Sequence, residues 1–260
     1  MSGCTHLRDP LHDWLQAGRS EHYRAPTPAE SSTLSAAFAR GLHDEGVADW
    51  QELGYESTAF GKDAAVRESM PRARGWGGYV FRTGAARALV VQAPHADSDR
   101  RTGEIALVLY RATGARVLAL NSAHRSLDGA DQANAVEAPF TVLGREAARP
   151  EVDALVFQVH GYGAATAKRH GLAASSLVLS NGTREPDRAL LDLAACLADA
   201  RFDVRLFPTQ APYPGGTRNA VRAAMAGPGA GRFVHAELGE ALRAELVQDS
   251  ARLQAFAACL

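Results

Sequence analysis

Val90-Val91-Gln92-Ala93 is an apolar, strand-forming run that stops at Pro94-His95, and the loop after it, Ala96-Asp97-Ser98-Asp99-Arg100-Arg101-Thr102-Gly103-Glu104, carries three carboxylates before a helical pattern begins. The C-terminal end of a strand is where an open α/β sheet presents its ligand. Imidazole nitrogen and carboxylate oxygen are both good zinc ligands. Two later apolar strands also end in histidine: Ala154-Leu155-Val156-Phe157-Gln158-Val159-His160 runs into Gly161-Tyr162-Gly163, and Arg232-Phe233-Val234-His235 runs into Ala236-Glu237-Leu238. If these strands are parallel neighbours, three histidines converge on one edge of the sheet with carboxylates beside two of them. That combination suits a metal site.

The pattern resembles the zinc carboxypeptidase-like superfamily, which includes metallocarboxypeptidases, the aspartoacylase and succinylglutamate desuccinylase group, N-formylglutamate amidohydrolases and phage poly-γ-glutamate hydrolases. The resemblance covers about Leu89 to Leu246. It implies that His95 and His160 hold zinc, that a carboxylate in the loop after His95 is the other ligand, and that Glu237 is the catalytic base. Metallocarboxypeptidases have glutamate three residues after the first histidine, and this chain has Ser98 there. Aligning Thr102-Gly103-Glu104-Ile105-Ala106 with the helix start of poly-γ-glutamate hydrolases, allowing one deletion, sets Asp99 opposite the liganding glutamate. Glu104 is the alternative and Asp97 stands behind it. Glu104 also suits the first turn of a helix capped by Thr102, where an acidic side chain meets the positive end of the dipole. His235, two residues before Glu237, is read as facing the opposite side of the strand with a structural role.

Substrate contacts are expected from loops that follow strands. Asn121, His124 and Arg125 follow the run Val117-Leu118-Ala119-Leu120, and Arg125 is expected to stabilise the oxyanion or grip a carboxylate, since a guanidinium pairs bidentately. Tyr162 beside the second histidine, and Tyr213, Arg218 and Asn219 in a Pro-Gly-Gly turn leading into a helix, complete the set; Thr217 is read as that helix's cap. Arg74-Gly75-Trp76 either borders the cleft or leads into the first strand. The implied activity is zinc-dependent hydrolysis of an amide bond in a carboxylate-bearing substrate: glutamate-like, γ-glutamyl or cell-wall peptide. A zinc-free binding protein on the same fold is the alternative, because the second ligand is irregular. An α/β hydrolase or phosphatase with another nucleophile is disfavoured, because neither Gly-x-Ser-x-Gly nor a phosphate-binding glycine loop is present.

Positioning these residues requires alternating strands and helices, the pattern of an α/β fold. Strands are expected near Tyr79–Arg82, Ala88–Gln92, Arg116–Asn121, Ala154–His160, Ser176–Ser180, Val204–Phe207 and Phe233–Ala236. Helices are expected near Thr102–Ala112, Phe140–Ala148, Pro186–Ala200, Thr217–Met225 and Leu238–Ala258. The expected fold is one α/β domain, residues 46–260, with a mixed, mostly parallel sheet flanked by helices as in zinc exopeptidases. Residues 1–45 form an N-terminal extension with helices near Leu11–Gln16 and Ser32–Leu42, and Ala48–Met70 wraps the domain. A chain of 260 residues with 28 Lys and Arg against 29 Asp and Glu has almost no net charge. A global field that attracts nucleic acid is therefore absent. No run reaches the ~20 apolar residues needed to cross a bilayer, and Met1–Ala17 lacks the apolar core of a signal peptide. A soluble, cytoplasmic protein is expected, with a cell-envelope lipoprotein as the alternative because Ser2-Gly3-Cys4 resembles the end of a bacterial lipoprotein cleavage site. The three cysteines, Cys4, Cys196 and Cys259, are read as neither a disulfide framework nor a CxxC site.

Overall fold

Four strands with apolar, largely buried sequences, around Val91, Leu118, Phe157 and Val234, pair side by side at the middle of one sheet. The computed structural model describes residues 9–226 and 232–260. Among these the strands are β1 (Tyr55–Phe60), β2 (Asp63–Glu68), β3 (Gly78–Arg82), β4 (Arg87–Ala93), β5 (Ala115–Leu120), β6 (Leu155–Tyr162), β7 (Ser176–Ser180), β8 (Asp203–Leu206) and β9 (Phe233–Gly239). Their spatial order is β1-β2-β3-β5-β4-β6-β9-β7-β8. The central four, β5, β4, β6 and β9, are parallel. Antiparallel pairings flank them on both sides, and β8 at the far edge is parallel to β7. The expected mixed sheet is present, its parallel part carrying all three histidine strands.

The helices are α1 (Pro10–Gln16), α2 (Pro28–Leu42), α3 (Thr102–Thr113), α4 (Pro139–Ala147), α5 (Ala164–His170), α6 (Arg188–Asp199), α7 (Ala220–Ala224), α8 (Glu240–Gln248) and α9 (Ser250–Ala257). Strand side chains alternate between the two faces of the sheet. Val91, Leu118 and Phe157 therefore pack with Leu11 of α1, Leu109 of α3, Leu242 of α8 and Phe256 of α9. Their neighbours Val90, Val117 and Val156 pack on the other face with Phe38 of α2, Phe140 of α4 and Val221 of α7. The N-terminal segment thus contributes α1 to one face and α2 to the other. Helix α2 starts at a capping box, Thr27 with Glu30, followed by Pro28 at its first position, which satisfies orphan backbone N–H groups at that end.

Several expected elements differ. The stretch Ala48–Met70 contains a 3₁₀ turn and the β1–β2 hairpin, closed by Gly61 at φ +64; its weak apolar alternation concealed the strands. Helix α3 is preceded by Arg101, not capped by Thr102, whose hydroxyl instead donates back to the Asp99 carbonyl at 2.7 Å. Thr217 is not a cap either: Asn219 accepts the Arg222 N–H and starts α7. Strand β9 continues to Gly239, so Glu237 lies inside it, and the last helical stretch breaks at Asp249, whose side chain caps α9. Arg74 leads into the sheet, tied to the buried Glu68 carboxylate and stacked on Trp76. No helix among the described residues is long and apolar enough to cross a membrane. Ser2-Gly3-Cys4 lies outside the described residues.

Cys196 and Cys259 form a disulfide, which corrects the reading of them as unrelated thiols. The sequence separation of 63 hid the pair, but α6 and the end of α9 lie against the same core, with Cα atoms 5.7 Å apart. A cross-link closing a loop of that length removes roughly 4 kcal/mol of unfolded-chain entropy. Converting both cysteines to serine is expected to destabilise the protein by about 2–4 kcal/mol in denaturant unfolding. Reductant should do the same to the unmodified chain, and identical unfolding midpoints with and without it would rule out the bond.

Candidate functional site

The parallel register fixes what sits beside what. Gln92 pairs with Gln158, Gln158 with His235, and His160 with Glu237. In-register neighbours share a face, as do residues two apart on one strand. A polar stripe of Gln92, Gln158, His160, His235 and Glu237 therefore crosses three central strands on one face. This corrects the expected placement of His235 on the opposite side from Glu237: the period of two puts them together, with His235 Nε2 3.4 Å from Glu237 Oε1. Chain order reverses here, with β5 on one side of β4 and β6 on the other, and such a switch point opens a crevice at the strand ends.

His95 follows β4 at that point. The loop closes a tight turn in which the Ser98 and Asp99 N–H groups both donate to the His95 carbonyl. Asp99 is thereby returned beside His95, its Oδ2 3.4 Å from His95 Nδ1 and accepting the Gly161 N–H at 3.2 Å. His160 Nδ1 lies 3.2 Å from His95 Nδ1. Ligand atoms of His95, Asp99 and His160 all lie within 4.8 Å of one another, which is the trio expected from the sequence. Glu104, the alternative, is exposed on α3, and Asp97 pairs with Arg19 at 2.6 Å.

The donor set can be tested against zinc. Each histidine uses its outer nitrogen elsewhere: His95 Nε2 reaches Asp131 Oδ1 at 2.9 Å, and His160 Nε2 reaches Gln158 Oε1 at 3.1 Å. Both Nδ1 atoms are left facing each other. Ligands about 2.0–2.1 Å from a tetrahedral ion stand roughly 3.3 Å apart, close to the observed separations of 3.2 and 3.4 Å. Two imidazoles and one carboxylate, with an outer carboxylate on one ring, make the three-ligand set of a catalytic zinc site. The residues fit the metal.

Charge at the site is tuned by these contacts. Burial pushes His160 well below the ordinary 6.5, helped by His235, His95 and Arg125 nearby, so it is neutral and ready to ligate. Burial also disfavours the charged form of His95, but the hydrogen bonds to Asp131 and Asp99 outweigh it and raise that group above 6.5. Burial would raise Asp131 too, yet its bonds from His95 and Asn134 hold the carboxyl well below the usual range.

A cavity of about 590 Å³ opens over His95 and His160, walled by Glu237, His235, Asp131, Arg125, Arg184 and the 212–219 loop among others. Arg125 Nη1 lies 3.2 Å from His95 Nδ1 and 3.4 Å from Asp99 Oδ1, with half its side chain exposed. His124, Tyr213, Arg218 and the buried Asn219 also line this wall. His124 is bonded to Ser126, Tyr213 stacks on His170 at 4.7 Å, and Arg218 is exposed with no ion pair among the described residues. Gly216 holds φ +60 and packs so tightly on the His235 ring that a Cβ would come within 2.8 Å. Two expected substrate contacts lie elsewhere. Asn121 is buried, its side chain bonded to the Pro94 and Ala123 carbonyls, so it braces the His95 loop. Tyr162 gives its hydroxyl to the Ala173 and Ser176 carbonyls in a separate apolar cluster. Sequence reasoning missed Asp131, 36 residues from His95 in an irregular loop without a motif. It also missed Arg184 and Gln158, although Gln158 carried a signal as a lone amide in an apolar strand.

Similarity to known proteins is confined to the backbone. No family model matches the chain, and no curated protein matches its sequence. The structure is similar to a bacteriophage poly-γ-glutamate hydrolase at TM-score 0.43 and 15% identity, over 70% of this chain and 85% of that one. It is similar to N-formylglutamate amidohydrolase from Ralstonia eutropha at TM-score 0.45 and 14% identity, over 71% and 97%.

His95 gives the site a defined pH response. Its folded value is raised above 6.5, so protonated His95 stabilises the metal-free fold fully below about pH 6.5, and that contribution fades as pH rises through the folded value. Zinc must displace the Nδ1 proton, so affinity should climb about tenfold per pH unit over the same range. Calorimetry in two buffers of different ionisation enthalpy would read about one proton released per zinc. Asp131→Asn should lower the His95 value seen in an NMR titration, and an unmoved value would remove Asp131 from this role.

Proposed function

We propose that the protein is a zinc-dependent hydrolase that cleaves an amide bond in a substrate bearing a free carboxylate, of the glutamate-like, γ-glutamyl or cell-wall peptide kind. The observation that carries this reading is the facing pair of histidine Nδ1 atoms with Asp99, at metal-ligand spacing, beside a cavity that also holds an acidic side chain and arginines. His95, Asp99 and His160 would hold the ion. When bound, zinc supplies a Lewis acid that lowers the pKa of water towards neutrality and polarises the scissile carbonyl.

The chain's own groups do the rest. Glu237, on the strand next to His160 and largely shielded, takes the proton of the attacking water on its carboxylate and returns it to the leaving amine, work typically worth 10²–10⁴-fold. Asp131 holds the His95 ring in one orientation by its 2.9 Å bond. Arg125 offers a guanidinium at the mouth of the site, where it pairs with the developing oxyanion or with a substrate carboxylate. Arg184 and Arg218 on the outer wall supply further positive charge. The protein as a whole is nearly neutral, so recognition of an anion rests on these local side chains.

Metal analysis of protein purified without a nickel column should give about one zinc per chain, and His95→Ala or His160→Ala should remove it while the chain stays folded. Glu237→Gln should keep zinc and lower kcat by at least about 10²-fold. Near-normal turnover in that variant would exclude Glu237 as the base, and a chain that takes up no zinc when loaded would favour a binding protein instead. Amidating the substrate carboxylate should weaken kcat/KM about 10-fold or more, or roughly 1.4 kcal/mol, and Arg125→Ala should erase the difference. Equal cleavage of neutral and anionic substrates would end the carboxylate assignment.

A further inference from the structure

Behind His160 runs a chain of buried amides whose polarity is fixed at both ends by backbone groups. The Arg222 N–H donates to Asn219 Oδ1 at 3.2 Å. Asn219 Nδ2 donates to Gln158 Oε1 at 2.7 Å, and His160 Nε2 meets that same oxygen at 3.1 Å. Gln158 Nε2 then donates to Gln92 Oε1 at 2.8 Å, and Gln92 Nε2 points to the Phe140 carbonyl at 3.5 Å. A backbone N–H can only donate and a carbonyl can only accept, so neither terminal amide can turn over without losing its anchor. Gln158 must therefore present oxygen to His160. The four side chains are at most 4% exposed, which leaves no room for water to reverse the order.

We propose that Gln158 is a positioning residue that puts the single proton of neutral His160 on Nε2, so that Nδ1 faces the metal, and that Asn219 enforces this choice. The assignment rests on the zinc reading above only in what Nδ1 is for. Asn219 does two things at once: its oxygen caps α7, and its nitrogen polarises Gln158. It is also the last residue of the 212–219 wall, next to Arg218. The loop that meets substrate and the tautomer of a metal ligand thus share one hydrogen-bond chain, running from an outer wall of the cavity to the floor of the site.

Asn219→Asp separates these duties. Aspartate is as good an N-cap as asparagine, whereas alanine loses the cap, so a purely structural Asn219 predicts that Asp is the milder change. The relay predicts the reverse for the site. The new carboxylate oxygen faces Gln158 Oε1, turns that amide over, and presents its NH₂ to His160, moving the ring proton to Nδ1. Zinc affinity, measured by competition with a chromophoric chelator, should fall 10–100-fold in Asn219→Asp and less in Asn219→Ala, although added negative charge alone would tighten binding. The imidazole nitrogen shifts of His160 in metal-free protein should report Nε2–H in the wild type and Nδ1–H in Asn219→Asp. Unchanged or tighter zinc binding in the Asp variant, or Nδ1–H in the wild type, would overturn the proposal, and the wild-type spectrum decides it even should the variant misfold. A wild type with Nε2–H and no zinc uptake would instead overturn the hydrolase reading and leave the positioning intact.

Discussion

Everything at the cavity depends on the parallel register of β4, β6 and β9. Side chains in a strand alternate, so a slip of one residue between β6 and its neighbours would carry Gln158 and His160 to the α3 side of the sheet and bring Phe157 and Val159 into the crevice. The apolar partition prevents this. Val90, Val156 and Phe233 have Phe38, Phe140 and Val221 to pack against, while Val91, Phe157 and Val234 have α3, α8 and α9. Two separate cores therefore vote for one register, and the polar stripe takes its place as their by-product.

The stripe itself would be expensive inside a sheet were any member unpaired. Gln92, Gln158, His160 and Asn219 satisfy one another and terminate on backbone. His235 does not: both its ring nitrogens lack a hydrogen-bond partner, although Glu237 stands 3.4 Å away. An acid beside a histidine at the rim of the His95, Asp99 and His160 trio is an electrostatic arrangement tolerated for chemistry more readily than for stability. The lobe of positive charge on Arg125, Arg184 and Arg218 has the same character, since among the described residues only Arg125 of the three meets a carboxylate.

The sequence made the strand-end histidines legible because each closes an apolar run, and the periodicity there leaves little choice of element. Asp99 was legible through loop alignment, and the turn that the Ser98 and Asp99 N–H groups form on the His95 carbonyl is the physical reason it lies beside His95. His235 shares the face of Glu237 because side chains two apart on a strand point the same way, a relation the sequence contains in full. Asp131 was not legible: it reaches His95 from a loop with no periodicity, and nothing local marks it. Tyr162 looked like a substrate contact because it neighbours His160 in the chain, and Asn121 because it follows a strand, yet each spends its polar atoms on nearby backbone groups. Proximity in sequence says where a side chain begins and not which way it points. The β1–β2 hairpin escaped notice because β1 is mostly exposed and β2 buries adjacent residues, Ala65 and Val66, in the two opposite cores, so neither strand alternates apolar with polar.

The Cys196–Cys259 link reaches beyond stability. Thiols in a cytosol are held reduced by glutathione and thioredoxin, and lasting disulfides belong to oxidising surroundings. A cell that makes this chain with the bond closed has to mature it where electrons can be taken from the two sulfurs. In a reducing space the same chain would carry two thiols, and α9 would be retained by non-covalent contacts alone, Phe256 against Phe157 and Phe202 and Arg252 on Glu245 and the Ala200 carbonyl. The C-terminal helix therefore records the redox history of the molecule, in a part of the fold that faces away from the cavity and its chemistry.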